Sequence, residues 1–292
     1  MPDSVQIENS KIVGRIRNIY NTFTNEEPEA MPLTVVAPHA AIVTAINSFD
    51  PGYHHDYHLV KGLATPYLAA PTEANAALLA DALGTVLVNW GAGSRKAPSV
   101  RALPALIATL LNPTFHDSLL GFKGGALAML AVVNGHARSL GGLAAEAHCT
   151  AFDTRLLSVL SDISALLLIG NTNVTYPMKV LLLLTGFMPA LDSQVRRGLS
   201  SAGFAGASAT QFLMPGDMGS LRARKLTRLP FYLGDCFAAN RALLIGAAAD
   251  SHYPWLVDEP GRLFDILLFM QGSGGAPLFK FVPRVPNWYA LS

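Results

Sequence analysis

The 292 residues carry 21 Lys and Arg against 20 Asp and Glu, a formal net charge of +1, and 51% of them are hydrophobic while only 14% are charged. A chain of this length can bury the core of one large domain or two lobes, and its near-neutral balance excludes a global electrostatic field as the means of holding a nucleic acid or a membrane, so any basic surface has to be local. Cys149 and Cys236 are the only cysteines, too few for a four-thiolate iron–sulfur cluster or a disulfide framework, and buried, reduced core positions are expected for both.

Residues 5–23 place Ile12, Ile16, Ile19, Tyr20 and Phe23 on one helical side and Lys11, Arg15 and Arg17 elsewhere, which predicts a first helix. This stretch has mixed charge and no long apolar run, so a signal peptide is not expected. An acidic loop over residues 25–29 precedes a second helix over 40–49. His54, His55, Asp56, Tyr57 and His58 lead into a helical run through Val60 and Leu63, and Pro66 and Pro71 are expected to bracket a connection. Residues 72–90 read as a strong helix, with Thr72 as N-cap, Glu73 in the first turn, and an apolar stripe of Ala77, Leu78, Leu83, Val86 and Leu87. It ends in the turn-forming residues 91–98. The helical pattern continues over 99–111, 118–130 and 156–168, rich in alanine and leucine and almost without strand-like alternation.

Gly170, Asn171, Thr172 and Asn173 have turn chemistry, and residues 176–184 are too apolar to be anything but buried. Residues 185–189 break that helix, and Asp192 stands where a new helix carrying Val195, Arg196, Arg197 and Leu199 begins. Residues 198–216 are small, uncharged and loop-rich, 235–249 and 259–270 supply the last helices, and the tail holds Phe279, Phe281, Trp288 and Tyr289. The expected class is all-α. No apolar run reaches the roughly 20 residues of a membrane span, so no membrane partner is expected and the cytoplasm is the expected location.

Three groups could carry chemistry. Asp192 is a lone carboxylate at a helix start beside a buried wall. Residues 196–228 hold Arg196, Arg197, Arg222, Arg224, Lys225 and Arg228 against Asp217 alone, and Arg95, Lys96 and Arg101 form a second basic cluster, so both suit DNA phosphates. Trp90, beside a Gly-Ala-Gly turn, could stack on or wedge beside an extruded base, with Tyr176 as a second pocket candidate. His54 and His58 at i,i+4 with His55 and Asp56 are conceivable metal ligands, although no HExxH or CxxC pattern completes them. His148, Cys149 and Asp153 do not make a nucleophile–base pair, because adjacent residues on a helix point apart.

Residues 168–192 resemble, without a gap, the hairpin-to-aspartate segment of the helix-hairpin-helix DNA glycosylases, the adenine-specific branch looking closest. Leu168-Ile169-Gly170 falls on the start of the hairpin, and Pro189-Ala190-Leu191-Asp192 with Val195-Arg196-Arg197 falls on the aspartate motif; the match covers roughly a tenth of the chain. Thr172 replaces the second hairpin glycine, and Val174 stands where lyase-type members carry a nucleophilic lysine. Lys179, five residues on, lies roughly 140° around the helix from that position. The resemblance therefore implies a monofunctional glycosylase without a cofactor or metal, acting on double-stranded DNA and needing no obligate protein partner. It implies a single two-lobed helical unit, with residues of about 72–199 forming the central lobe and 1–71 with 200–292 the second. Asp192 would stabilise the oxocarbenium and position water in the cleft. Gly170, Asn171, Thr172, Asn173, Arg95, Lys96, Arg196, Arg197, Arg222, Arg224 and Lys225 would hold DNA. A damaged or mispaired base in repair and a modified base in defence against foreign DNA both fit. The alternatives are a non-catalytic helical DNA-binding or interaction protein and, more weakly, a metal-dependent hydrolase built on His54, His55, Asp56 and His58.

Overall fold

Helix caps and prolines set most of the boundaries. In a computed structural model, which describes residues 32–123, 125–133, 137–143, 145–204, 207, 213–217 and 219–282, the first helices are α1 (His39–Ser48), α2 (Pro51–Ala69) and α3 (Glu73–Asn89). Asp50 caps α2 by accepting from the Gly52 amide, and Thr72 caps α3 by accepting from the Asn75 amide. Pro66 lies inside α2, which corrects the expectation of a connection starting there. The buried stripe of Tyr57, Val60, Ala64, Tyr67 and Leu68 carries the helix past it.

The next segment departs furthest from the periodicity. Ser99–Val100 is a strand, β2, and α4 starts only at Leu103, with Pro104 in its first turn. Proline has no amide hydrogen and favours the first turn of a helix, so Pro104 suits the start of α4, while Ser99 and Val100 are held extended by pairing with Ile169 and Leu168. The expected helix over 118–130 is displaced: α5 is Pro113–Leu120, capped by Asn112, and the chain then turns through Gly121 and Gly125 (φ 67°) into a 3-10 turn at Ala126–Met129. The strands β3 (Leu130–Val133) and β4 (Ala137–Leu140) follow, and α6 (Glu146–Leu167) begins ten residues earlier than its Leu-rich part suggests.

After α6 come β5 (Leu168–Ile169), α7 (Thr175–Thr185) and α8 (Ser193–Ser201). The expected helix over 235–249 is two helices, α9 (Leu221–Ala239) and α10 (Arg241–Ala249), parted at Asn240. α9 also takes in the basic run from Arg222 to Arg228. α11 (Pro260–Gly272) and β6 (Phe279–Phe281) close the described chain, preceded by a 3-10 turn at Pro254–Asp258. With β1 (Leu33–Val35), the strands make three antiparallel pairs, β1 with β6, β2 with β5 and β3 with β4.

Among the described residues the molecule is mostly helical, eleven helices with a few short strands, and it belongs to the all-α class. α7 is its central element. Every residue from Tyr176 to Thr185 is buried, and α2, α3, α5 and α6 pack around it. α8 packs on α11, and α1 on α10 and α11, while α9 lies against β1 and β3. One continuous apolar cluster runs through both groups. Among the described residues no helix is long and apolar enough to cross a membrane. The expected helix over 5–23, the acidic loop over 25–29, and Trp288 and Tyr289 lie outside the described residues.

Candidate functional site around Asp192

Asp192 sits at the end of a turn held at both ends. At the start, Gly186 caps α7 with φ 71°, donating its amide to the Leu182 carbonyl at 2.8 Å. Any Cβ on Gly186 would overlap the Glu259 carboxylate. That carboxylate accepts from the Tyr57 hydroxyl at 2.7 Å and pairs with Lys61, whose Nζ also donates to the Thr185 carbonyl at 2.9 Å. α2, the end of α7 and the start of α11 are thereby tied together. At the far end Leu191 has φ 48°, an uncommon conformation for a branched side chain. The Thr175 hydroxyl donates to its carbonyl at 3.2 Å, and the Ala190 amide donates to Asp265 Oδ1 at 2.8 Å.

The half-buried Asp192 caps α8 with one oxygen: Oδ1 accepts from the Gln194 and Val195 amides, both at 2.9 Å. Arg196 Nε donates to the Asp192 backbone carbonyl at 3.3 Å. Asp192 is close enough to Tyr176, Lys179, Arg196 and Asp265 for its charge to act on each.

Behind the carboxylate lies a buried polar and aromatic cluster. Trp90, 8% exposed, donates its indole N–H to Asp56 at 3.0 Å and meets the Tyr53 ring edge-on. Its carbonyl accepts from Lys179 Nζ at 2.7 Å and from the Tyr176 hydroxyl at 3.3 Å. Trp90 is thus a wall of the cluster and not a wedge standing on the surface. Burial pushes the Lys179 ammonium below the ordinary lysine value, with the carboxylates of Asp192 and Asp265 opposing it, and burial pushes the Tyr176 hydroxyl up, aided by Asp192. Lys179 also lies over the Tyr176 ring at 4.7 Å. Arg262, 1% exposed, pairs with Asp265 at 2.5 Å, donates to the Tyr53 carbonyl at 2.9 Å, and lies over the rings of Phe49, Tyr57 and Trp90. Burial raises the Asp265 carboxyl, with Arg262 acting against that.

The candidate DNA-contacting segments, scattered in sequence, are joined through the turn over residues 170–174. Ser99 and Val100 pair with Ile169 and Leu168, so the exposed Arg95 and Lys96 sit in a loop that starts at Trp90 and ends beside this turn. Arg101 is anchored there, its amide donating to the Leu167 carbonyl and its guanidinium to the Ala165 carbonyl. On the other side Asn173 bridges Leu213, and the Met214 amide donates to the Thr172 carbonyl at 3.1 Å. The segment leading into α9, with Arg222 and Arg224 exposed on its first turns, is thereby tied to the same turn. Arg196 and Lys225 line one apolar depression with Leu191, Leu199 and Phe204. Arg197 is exposed.

Within the turn, Gly170 takes φ 72°, where a side chain would have room but a strained backbone. Asn171 is spent internally, its amide donating to Ser164 Oγ at 2.7 Å and the Asn173 carbonyl at 2.9 Å. Asn173 Oδ1 accepts from the Thr175 amide at 3.0 Å. Those two side chains build the turn instead of reaching outward. Thr172 is exposed at its tip, and the left-handed non-glycine residues among those described are Arg95 and Leu191, so threonine strains nothing there.

His54, His55, Asp56 and His58 do not converge. His54 is buried and stacked on Tyr253 at 3.6 Å, His55 is exposed, His58 faces Trp255, and Asp56 is bonded to Trp90. Among the described residues no three His, Cys, Asp or Glu side chains group as metal ligands would. The metal-hydrolase alternative has no ligand set there. Cys149 and Cys236 are both buried thiols outside any disulfide, and burial pushes the Cys236 thiol up to about 12. His148 is exposed while Cys149 is not.

The sequence reading passed over Asp265 and Arg262, and took Lys179 only as the lysine nearest the lyase position. Their signal was present: each is a charge inside an otherwise apolar helix, and a buried charge requires a partner. Comparison with protein-family models, curated proteins and solved structures finds no match for the chain.

Proposed function

We propose that the chain is a DNA-processing protein whose working face is the turn over residues 170–174 with the cationic segments tied to it. More particularly, the reading is a monofunctional helix-hairpin-helix DNA glycosylase of two lobes, with Asp192 as the carboxylate that stabilises the oxocarbenium ion and positions water for attack at C1′. The observation that carries it is the convergence of Asp192, the 91–98 loop and the lead into α9 around one turn between two helices. Exposed Arg95, Lys96, Arg197, Arg222 and Arg224 would take phosphates, as would Gly170 and Thr172 through backbone amides, with Arg196 and Lys225 nearer the carboxylate. Trp90 and Tyr176 would wall the base pocket.

The test is incubation with duplexes carrying damaged, mispaired or hypermodified bases, followed by alkali to reveal abasic sites, beside Asp192→Asn. Cleavage of at least one substrate and its near loss in the variant are expected; undiminished cleavage by Asp192→Asn overturns the assignment. One observation favours a second reading: Lys179 is buried near Asp192 with its ammonium pushed down. A borohydride-trapped adduct that Lys179→Gln abolishes would make the enzyme a lyase through Lys179. Strong binding to all duplexes without cleavage would leave a non-catalytic DNA-binding protein.

A further inference from the structure

Asp265 belongs to α11, seventy-three residues beyond Asp192, yet it holds the residue two places before it. Asp265 is 5% exposed, and its carboxylate is divided between two donors, the Ala190 amide at Oδ1 and Arg262 at Oδ2. Arg262 in turn is fixed by the Tyr53 carbonyl and by the rings of Phe49, Tyr57 and Trp90, the same aromatic group that walls the cluster behind Asp192. Between Ala190 and Asp192 lies Leu191 in the left-handed region. Such a backbone persists only where its surroundings over-determine it. The bonds to the Ala190 amide and the Leu191 carbonyl do this. α8 and α11 are also locked in backbone contact, since a Cβ on Gly198 would overlap the Leu268 carbonyl and one on Gly272 the Gln194 carbonyl.

We propose that Asp265 is the positioning residue for Asp192, and that the relay from Tyr53 through Arg262, Asp265 and the Ala190 amide sets the direction of the Asp192 carboxylate from the aromatic cluster behind it. The proposal rests on the reading of Asp192 as the reacting carboxylate. It goes beyond that reading by making the strained turn a device: Oδ1 is spent on the α8 amides, so Oδ2 points wherever the turn sends it.

Removing Asp265 alone strands a buried guanidinium, so the test uses paired variants in which the charge of Arg262 is removed too. Arg262→Met with Asp265→Asn keeps an oxygen for the Ala190 amide, and Arg262→Met with Asp265→Leu keeps none. The leucine pair is expected to fold because apolar replacement of a whole buried pair is commonly tolerated, and the asparagine pair because it removes both charges and keeps an acceptor for the Ala190 amide. The leucine pair should lose about 100-fold in kcat with little change in KM, the scale of an ångström-sized misplacement, while the asparagine pair stays within about tenfold of wild type. Amide hydrogen exchange at Gln194 and Val195 is measured on all three proteins. It should quicken in the leucine pair alone. Unchanged kcat or unchanged exchange in a folded leucine pair overturns the proposal. Should the leucine pair fail to fold, Asp265→Asn alone decides: one oxygen then serves two donors, and wild-type exchange at both amides overturns the positioning role. Where wild type excises no base, the glycosylase reading fails by itself, and the exchange measurements still decide whether Asp265 sets Asp192.

Discussion

Asparagine caps a helix about as well as aspartate but carries no charge. The two roles of Asp192 are separable on that ground. Asp192→Asn should keep the melting temperature while losing excision, whereas Asp192→Ala should also lose about 1 kcal/mol of stability with the cap; thermal melts of the two side by side check this. His54 makes a second residue-scale prediction. The residue is 2% exposed, its ring packed edge-on against Phe49 and stacked on Tyr253. Burial foremost, then Arg262, lowers it to about 4 from the 6.5 of a free histidine. Between those values the unfolded chain binds a proton that the folded one refuses, so stability is full above about pH 6.5 and falls as pH drops toward 4, by up to about 1.4 kcal/mol per unit. Urea unfolding at about pH 7 and about pH 5 should show that loss reduced in His54→Phe. Equal losses in both proteins would sink the assignment.

At the scale of elements, the α8–α11 contact depends on two glycines whose missing Cβ atoms admit backbone. Ala exceeds Gly in helix propensity by up to about 1 kcal/mol, but forced overpacking costs about 1–3 kcal/mol. Gly198→Ala and Gly272→Ala should therefore be destabilising. Gly62, exposed in α2 with nothing near its Cβ position, should be stabilised by alanine. Chemical denaturation of the three gives opposite signs, and a stabilised Gly272→Ala would contradict the packing described. Elements were legible in sequence wherever a local device marks them. Thr72, Asp192 and the Gly170 turn are such places. They were illegible where a tertiary partner decides: Pro66 stays helical because its helix buries a continuous stripe, and Ser99-Val100 is extended because Leu168 and Ile169 supply its ladder.

For the whole molecule, a net charge of +1 hides a local gathering of exposed cations, Arg95 and Lys96 in one loop and Arg222 and Arg224 at the start of α9. If these cations hold DNA, affinity should fall with salt, and Arg222→Ala and Arg224→Ala should each weaken binding across sequences alike and lessen the log–log salt slope by about 1. Titration by fluorescence anisotropy at several salt concentrations reads this; slopes unchanged in both variants would remove α9 from the DNA interface.

Sequence by itself determined the helical class, the buried α7, the turn after α6 and the carboxylate at the head of α8, because periodicity, capping and turn chemistry act over a few residues. Only the tertiary structure decided that the 91–98 loop and the lead into α9 meet at one turn, that Trp90 faces inward, and that Asp265 grips the residue before Leu191. Those contacts join positions 40 to 86 residues apart, and no local pattern encodes the partner of a buried polar group.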